Sequence, residues 1–204
     1  MENIFVVATR NKGKTREMAA LLEGHPVTVR NLDDFGPIPE IEEDLDTFDG
    51  NAYKKASTTA RILGFPAIAD DSGLVVDALG GAPGVMSARY AGENATDLEN
   101  LEKVLLQMEG KENRKAFFQC VISVAVPRGA ALTYEGVCEG RITDKPAGEN
   151  GFGYDPIFFC PEYGKTFARL TMEEKNRVSH RGKALNEMVS EFEKILQWVE
   201  IHHP

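Results

Sequence analysis

The chain is poor in cysteine, in tryptophan and in positive charge, and it has no long hydrophobic run. Its 204 residues include three cysteines, Cys120, Cys138 and Cys160, an odd number without a C-x-x-C pair. That spacing argues against a disulfide framework or a cysteine-ligated metal, so buried free thiols in a reducing compartment, the cytoplasm, are expected. The apolar run near the start covers only Ile4 to Ala8, too short for a signal-peptide core, and nothing elsewhere approaches a membrane span. Lys and Arg total 23 against 32 Asp and Glu, a net charge of −9, which disfavours a general nucleic-acid surface because phosphate backbones need clustered cations. An acidic protein can still hold a nucleotide where a local cationic pocket or a metal offsets the charge. With 42% hydrophobic and 27% charged residues, the composition is that of a globular chain and one domain is expected over residues 1–204.

What the chain does have is an alternation of helical and strand patterns. Residues 3–8 form a β-branched and aromatic run, read as a strand. Residues 14–23 follow as a helix with Met18, Leu21 and Leu22 on one face, and residues 27–30 as a second strand. An acid-rich loop over 33–46 holds Glu40, Glu42, Glu43 and Asp44. Phe48, Ala52, Ala56, Ala60 and Leu63 recur at helical spacing, predicting a helix over 48–63 that Gly64 and Pro66 end. A short buried strand over 67–69 should run into a turn, Asp70-Asp71-Ser72-Gly73. Thr96-x-x-Glu99 is a capping box for a helix with Leu98, Leu101, Leu105 and Met108 inward. Residues 115–126 and 131–142 read as a hairpin, and 143–155 as a loop. Thr171-x-x-Glu174 caps a short helix, and Ser179 a long C-terminal one burying Leu185, Met188, Phe192, Ile195 and Val199. The fold class expected is α/β, a mixed sheet with flanking helices whose two halves form lobes around a central cleft.

Four segments carry chemistry. Thr9-Arg10-Asn11-Lys12-Gly13-Lys14 joins a strand to a helix, where backbone N–H groups, the helix dipole and Lys14 can hold phosphate. Ala8-x₄-Gly13-Lys14-Thr15 also fits a relaxed phosphate-loop pattern, with Ala in place of the first Gly. Asp70 and Asp71 are adjacent carboxylates that repel unless a cation lies beside them, an arrangement suited to Mg²⁺ shared with substrate phosphate. A third acid could come from the acidic loop, Glu43 in preference to Glu42. Phe152-Gly153-Tyr154-Asp155-Pro156 offers an aromatic, Phe152 or Tyr154, to stack on a base. Finally, His180 and Arg181 place cations in the first turn of the last helix, where they oppose the macrodipole, and a bound anionic or carbonyl group would account for them.

Taken together these segments resemble the inosine triphosphate pyrophosphatase family, also called non-canonical purine nucleoside triphosphate pyrophosphatases. The resemblance extends over nearly the whole chain: Thr9 to Lys14 with Glu17, Glu43 with Thr47-Phe48 and Asn51-Ala52, and Ala69-Asp70-Asp71-Ser72-Gly73-Leu74. It continues through Gly80-Gly81-Ala82-Pro83-Gly84, Ser87-Ala88-Arg89-Tyr90, Gly151 to Pro156, Glu174-Lys175 and Ser179-His180-Arg181. It implies an elongated α/β fold of two lobes around a cleft, and a homodimer that is Mg²⁺-dependent and splits purine nucleoside triphosphates to a monophosphate and pyrophosphate. It further implies that Thr9, Arg10, Asn11, Lys12, Gly13 and Lys14 hold phosphates, that Glu43 and Asp71 serve the metal with Asp70 nearby, and that Asp71 accepts the proton of the attacking water. Ser72, Phe152, Gly153, Tyr154, Asp155, Lys175, His180 and Arg181 would line the nucleotide site. Two positions depart from the family pattern: Leu45, often Gly, and Gly50, often Glu. The rival readings are a phosphate-loop ATPase or kinase acting through Lys14 and Thr15, and a nucleotide-binding module without turnover.

Overall fold

The computed structural model describes residues 3–202 of the chain. Its first strand, β1 (Asn3–Val7), buries Phe5, Val6 and Val7. It lies parallel to β2 (Val27–Asn31), in register from Asn3 against Val27 to Val7 against Asn31. On its other side it lies parallel to β3 (Ala67–Val76), with Val6 against Ala67. Parallel neighbours need crossover connections, and helices α1 (Lys12–Leu21) and α2 (Phe48–Leu63) supply them. Further along the chain come α3 (Asp97–Gln107), β4 (Lys115–Ala125), β5 (Ala131–Ile142), β6 (Phe158–Cys160) and β7 (Lys165–Thr166). Three helices close it: α4 (Met172–Val178), α5 (His180–Ser190) and α6 (Phe192–His202). The sheet is seven-stranded and mixed, in the order β2-β1-β3-β4-β5-β6-β7, with β5, β6 and β7 antiparallel in turn. This is the α/β class with an open mixed sheet that the alternation of patterns predicts.

The chain divides into two compact units. The first comprises Met1–Asp71, Val121–Glu135 and Ala184–Pro204; the second comprises Ser72–Cys120 and Gly136–Lys183. In the first, Ala56 and Ala60 of α2 pack with Val6, Ala67, Ala69 and Ala125 of the strands. Small side chains on the helix let it approach the sheet closely. In the second, Leu101, Val104 and Met108 of the α3 segment pack with Phe118, Phe158, Phe167, Ile142 and Leu170. Threonine caps start three of the helices: Thr47, Thr96 and Thr171 accept N–H groups of Gly50, Glu99 and Glu174, contacts of about 1 kcal/mol each.

Four expectations are corrected. The strand at Ala67 does not end at Ala69 but continues to Val76, so Asp70-Asp71-Ser72-Gly73 is strand and not turn. The C-terminal helix is two helices, α5 and α6, interrupted at Glu191. The first helix begins at Lys12 rather than Lys14 and stops at Leu21 rather than residue 23. Leu98 is exposed, and Val104 takes its place on the buried face of α3.

Candidate active site

In the first unit, the segment from Thr9 to Lys14 joins β1 to α1. Asn11 Oδ1 accepts the Lys14 N–H at 3.3 Å and Thr9 Oγ1 accepts the Asn11 N–H at 3.1 Å, so side chains shape the helix start. The first turn of α1 contains Lys12 and Lys14 and no acid, a distribution that opposes the helix dipole and favours an anion there. Arg10 is exposed and its guanidinium donates to Asp33 Oδ1 at 2.6 Å and to the Ile38 carbonyl at 3.1 Å, tying this segment to the acidic loop. The side-chain surroundings of Gly13 and Glu17 lie outside the described residues. Because α1 already begins at Lys12, only residues 8–11 separate it from β1. That connection is too short to form the long Gly-rich cradle of a phosphate loop around Lys14 and Thr15.

The acids of β3 sit beside two lysines. Lys14 Nζ contacts both carboxylate oxygens of Asp70, at 3.0 and 2.9 Å. Asp71, the next residue of β3, lies beside a different lysine. Its side chain is buried, and Lys55 Nζ lies 4.0 Å from Asp71 Oδ1. The same ammonium donates to Glu43 Oε1 and to the Asp70 carbonyl, each at 2.5 Å. Burial disfavours the charged form of Lys55, but the carboxylates of Asp70, Glu43 and Asp71 outweigh it and hold its pKa above the ordinary lysine value. Of the two candidate loop acids, Glu43 faces this cluster while Glu42 is exposed.

Lys55 is the side chain of this cluster that sequence reasoning missed. The signal was its position: it falls four residues after the buried Asn51 and seven after Phe48, on the inward stripe of α2. Asn51 in turn holds the acidic loop, accepting the Leu45 N–H at 3.0 Å and donating to the Leu45 carbonyl at 3.1 Å.

Among the described residues, no three Asp, Glu, His or Cys side chains form a ready-made metal cage. The donor set nonetheless fits Mg²⁺, which takes hard oxygens, is content with one or two carboxylates, and completes its shell from water and phosphate. A primary ammonium bonded to Glu43 Oε1 and the Asp70 carbonyl, near Asp71, marks where these oxygens favour positive charge.

The second unit holds the remaining candidates. Ser72 follows Asp71 directly in β3 and is half-buried. Of the two aromatics in the Gly151–Asp155 loop, Tyr154 is 5% exposed and donates its hydroxyl to the Ser87 carbonyl at 2.8 Å, while Phe152 is 62% exposed. Ser87 is itself a structural tie, accepting the Leu74 N–H at 2.9 Å. Phe152 is therefore the ring available for stacking, and Tyr154 is an anchor. Asp155, which is buried, accepts the Phe152 N–H at 3.0 Å and pairs with the Lys175 ammonium. That ammonium lies 4.7 Å from the Phe152 ring centroid, a cation–π contact. Lys175 thus belongs with the aromatic loop.

His180 opens α5, with its ring stacked on Phe118 at 4.7 Å and 11° between planes. Phe118 also stacks with Phe167 at 5.8 Å, so the imidazole joins a cluster of aromatic rings. Ser179 Oγ accepts the Gly182 N–H at 3.1 Å, and a Cβ at Gly182 would lie 1.9 Å from the Asn176 carbonyl oxygen. Glycine is what lets α4 and α5 meet closely enough to set His180 and Arg181 at the corner. The structure brings Lys14, Glu43, Asp70 and Asp71 together in the first unit, with Lys55 added. It brings Phe152, Gly153, Tyr154, Asp155 and Lys175 together in the second.

Comparison with known proteins places this arrangement. A sequence model described as the Ham1 family matches residues 5–191. A dITP/XTP pyrophosphatase of Syntrophobacter fumaroxidans is 60% identical over 196 residues, covering 96% of this chain and 84% of the relative. One from Desulfotalea psychrophila is 58% identical over 197 residues, covering 97% and 88%. The solved structure of a HAM1 protein from Coxiella burnetii superposes with a TM-score of 0.91 at 44% identity, over 95% of this chain and 100% of that one. The Staphylococcus aureus Ham1 protein gives 0.89 at 41% identity, over 94% and 98%. The mixed seven-stranded sheet, the ordered motifs and this likeness over almost the full length agree: the chain belongs to the Ham1 family.

Proposed function

We propose that this protein hydrolyses non-canonical purine nucleoside triphosphates, those of inosine, deoxyinosine and xanthosine, to the monophosphate and pyrophosphate. The observation that carries this reading is the acidic cluster in which Glu43 and Asp71 lie beside the half-buried Lys55 while Asp70 pairs with Lys14 of the basic α1 start, all in one unit. The names borne by relatives at 58–60% identity support it.

Glu43 and Asp71, with Asp70 alongside, would hold Mg²⁺. When bound, the ion neutralises phosphate oxygens and favours in-line displacement. Asp71 would accept a proton from the water that attacks the α-phosphorus. Lys14, with Thr9, Arg10, Asn11, Lys12 and Gly13, would bind the phosphates and stabilise charge on the departing pyrophosphate. In the second unit, Phe152 would stack on the purine, backed by Lys175, with Ser72, Gly153, Tyr154 and Asp155 shaping the nucleotide site. His180 and Arg181 would donate to the 6-oxo group of hypoxanthine or xanthine, where adenine carries an amino group. We also propose a homodimer; a single-chain mass in sedimentation equilibrium would reject it.

A product-resolved assay with inosine, xanthosine, adenosine and guanosine triphosphates, with and without Mg²⁺, tests the reading. Pyrophosphate and monophosphate from the first two, dependent on Mg²⁺ and lost in Asp71→Asn, is the expected result. Release of orthophosphate, or binding without turnover, would reject it.

A further inference from the structure

We infer that Asp97, at the start of α3, is a positioning residue that sets the direction of the Phe152 ring and so the affinity for the purine. The inference rests on the stacking role proposed for Phe152. Its basis is the bonding of one peptide group. The Phe152 carbonyl accepts the Asp155 N–H at 3.2 Å, and the Gly153 N–H on the same peptide donates to Asp97 Oδ2 at 2.8 Å. The preceding N–H, that of Phe152, donates to Asp155 Oδ2 at 3.0 Å. Both backbone dihedrals of Phe152 are therefore held by hydrogen bonds. Two of these come from Asp155 within the loop; the third comes from Asp97, 56 residues away in sequence.

The contact matters because the ring has little else to hold it. Phe152 is 62% exposed, and the Lys175 ammonium lies over its ring. Gly153 follows with φ +58°, a left-handed value that glycine adopts without cost, so the loop could swing about this point. An outside carboxylate on the Gly153 N–H restrains that swing. Asp97 is well placed to do so, since it lies in the first turn of α3 directly after the Thr96 cap, and Leu101 and Val104 anchor that helix in the core. The bond is charge-assisted, which raises its strength above that of a neutral pair.

The test is steady-state hydrolysis of inosine triphosphate by Asp97→Ala, Asp97→Asn, Phe152→Ala and the Asp97→Ala/Phe152→Ala double variant, with ribose 5-triphosphate as a substrate lacking the base. Asp97→Ala should raise KM for the nucleotide about fivefold with kcat within about twofold, the scale of one hydrogen bond. Asp97→Asn keeps an acceptor oxygen and should restore most of the loss. The base-free substrate should not respond, and in the double variant the Asp97 change should add nothing to Phe152→Ala. A raised KM in Phe152→Ala with none in Asp97→Ala, or effects of the two that simply multiply, would overturn the inference alone. No change in Phe152→Ala would overturn the stacking reading, and this inference with it.

Discussion

Lys14 places its ammonium across both carboxylate oxygens of Asp70, at 3.0 and 2.9 Å, in a contact where the two side chains are 30% and 15% exposed. The lysine assigned to phosphate is thus already neutralised by a carboxylate of the next strand but one in sequence. Any triphosphate that reaches Lys14 must share it with Asp70 or displace it.

Asp70→Asn should accordingly tighten product inhibition by pyrophosphate, by about fivefold, the scale of a partly screened charge pair. Inhibition constants measured with the parent and the variant check this. Equal constants would show that Asp70 does not compete for Lys14.

Lys55 is held among acids, so replacing it leaves their repulsion uncompensated. Lys55→Met should cost about 1–2 kcal/mol in chemical denaturation without metal, between the values for an exposed and a fully buried ion pair. Mg²⁺ should return part of that loss, because a divalent cation can take the ammonium's place among the same oxygens. The readout is the denaturation midpoint with and without Mg²⁺; equal shifts in parent and variant would contradict the assignment of Glu43 and Asp71 to the ion.

The two positions that depart from the family pattern touch each other. A Cβ at Gly50 would lie 2.9 Å from Thr47 Oγ1 and 3.1 Å from Leu45 Cδ1, so the side chain present at 45 occupies the space absent at 50. Gly50→Ala alone should therefore give less than the gain of about 1 kcal/mol that its helix propensity predicts. In a Leu45→Gly background part of the gain should reappear, the contact with Thr47 Oγ1 remaining. Thermal denaturation of the four combinations measures the coupling, and strict additivity would refute it.

Acid stability gives a further check. Hydrogen bonds from the Thr171 backbone, then from Lys165, hold the Glu174 carboxyl below its ordinary 4.5. A carboxyl depressed on folding contributes stability that is present above its unfolded pKa and is lost as pH falls through the folded one. Glu174→Gln should flatten the stability profile below pH 4.5 while altering it little in sign or slope near neutrality. A variant with the parent's acid limb would show that the capping carboxylate contributes nothing there.

Much of this was legible in the sequence wherever a pattern was long. The helix over Phe48–Leu63 and the strands Lys115–Ala125 and Ala131–Ile142 follow their periodicities almost to the residue. Composition misled at Asp70-Asp71-Ser72-Gly73, four turn-forming residues that lie inside a strand between two others. Sheet pairing overrides local preference there, and Lys14 and Lys55 answer the two charges. The break at Glu191 was invisible because Met188, Phe192 and Ile195 stay buried across it. Strands of three and two residues, Phe158–Cys160 and Lys165–Thr166, are too short to carry a period. In the candidate site, residue types pointed to phosphate, metal and base, while only coordinates could separate exposed Phe152 from anchored Tyr154 and reveal Lys55 among the acids.

The scarcity of cysteine has a practical side. Cys120, Cys138 and Cys160 are all buried free thiols, and burial, then the neighbouring Cys160, pushes the Cys138 thiol up to about 12. Thiolate, the reactive form, is then almost absent from Cys138 at neutral pH. A single cysteine introduced on the exposed face of α3, at Leu106, would outcompete the shielded Cys138 for a maleimide dye and give a labelled enzyme for watching nucleotide binding by fluorescence.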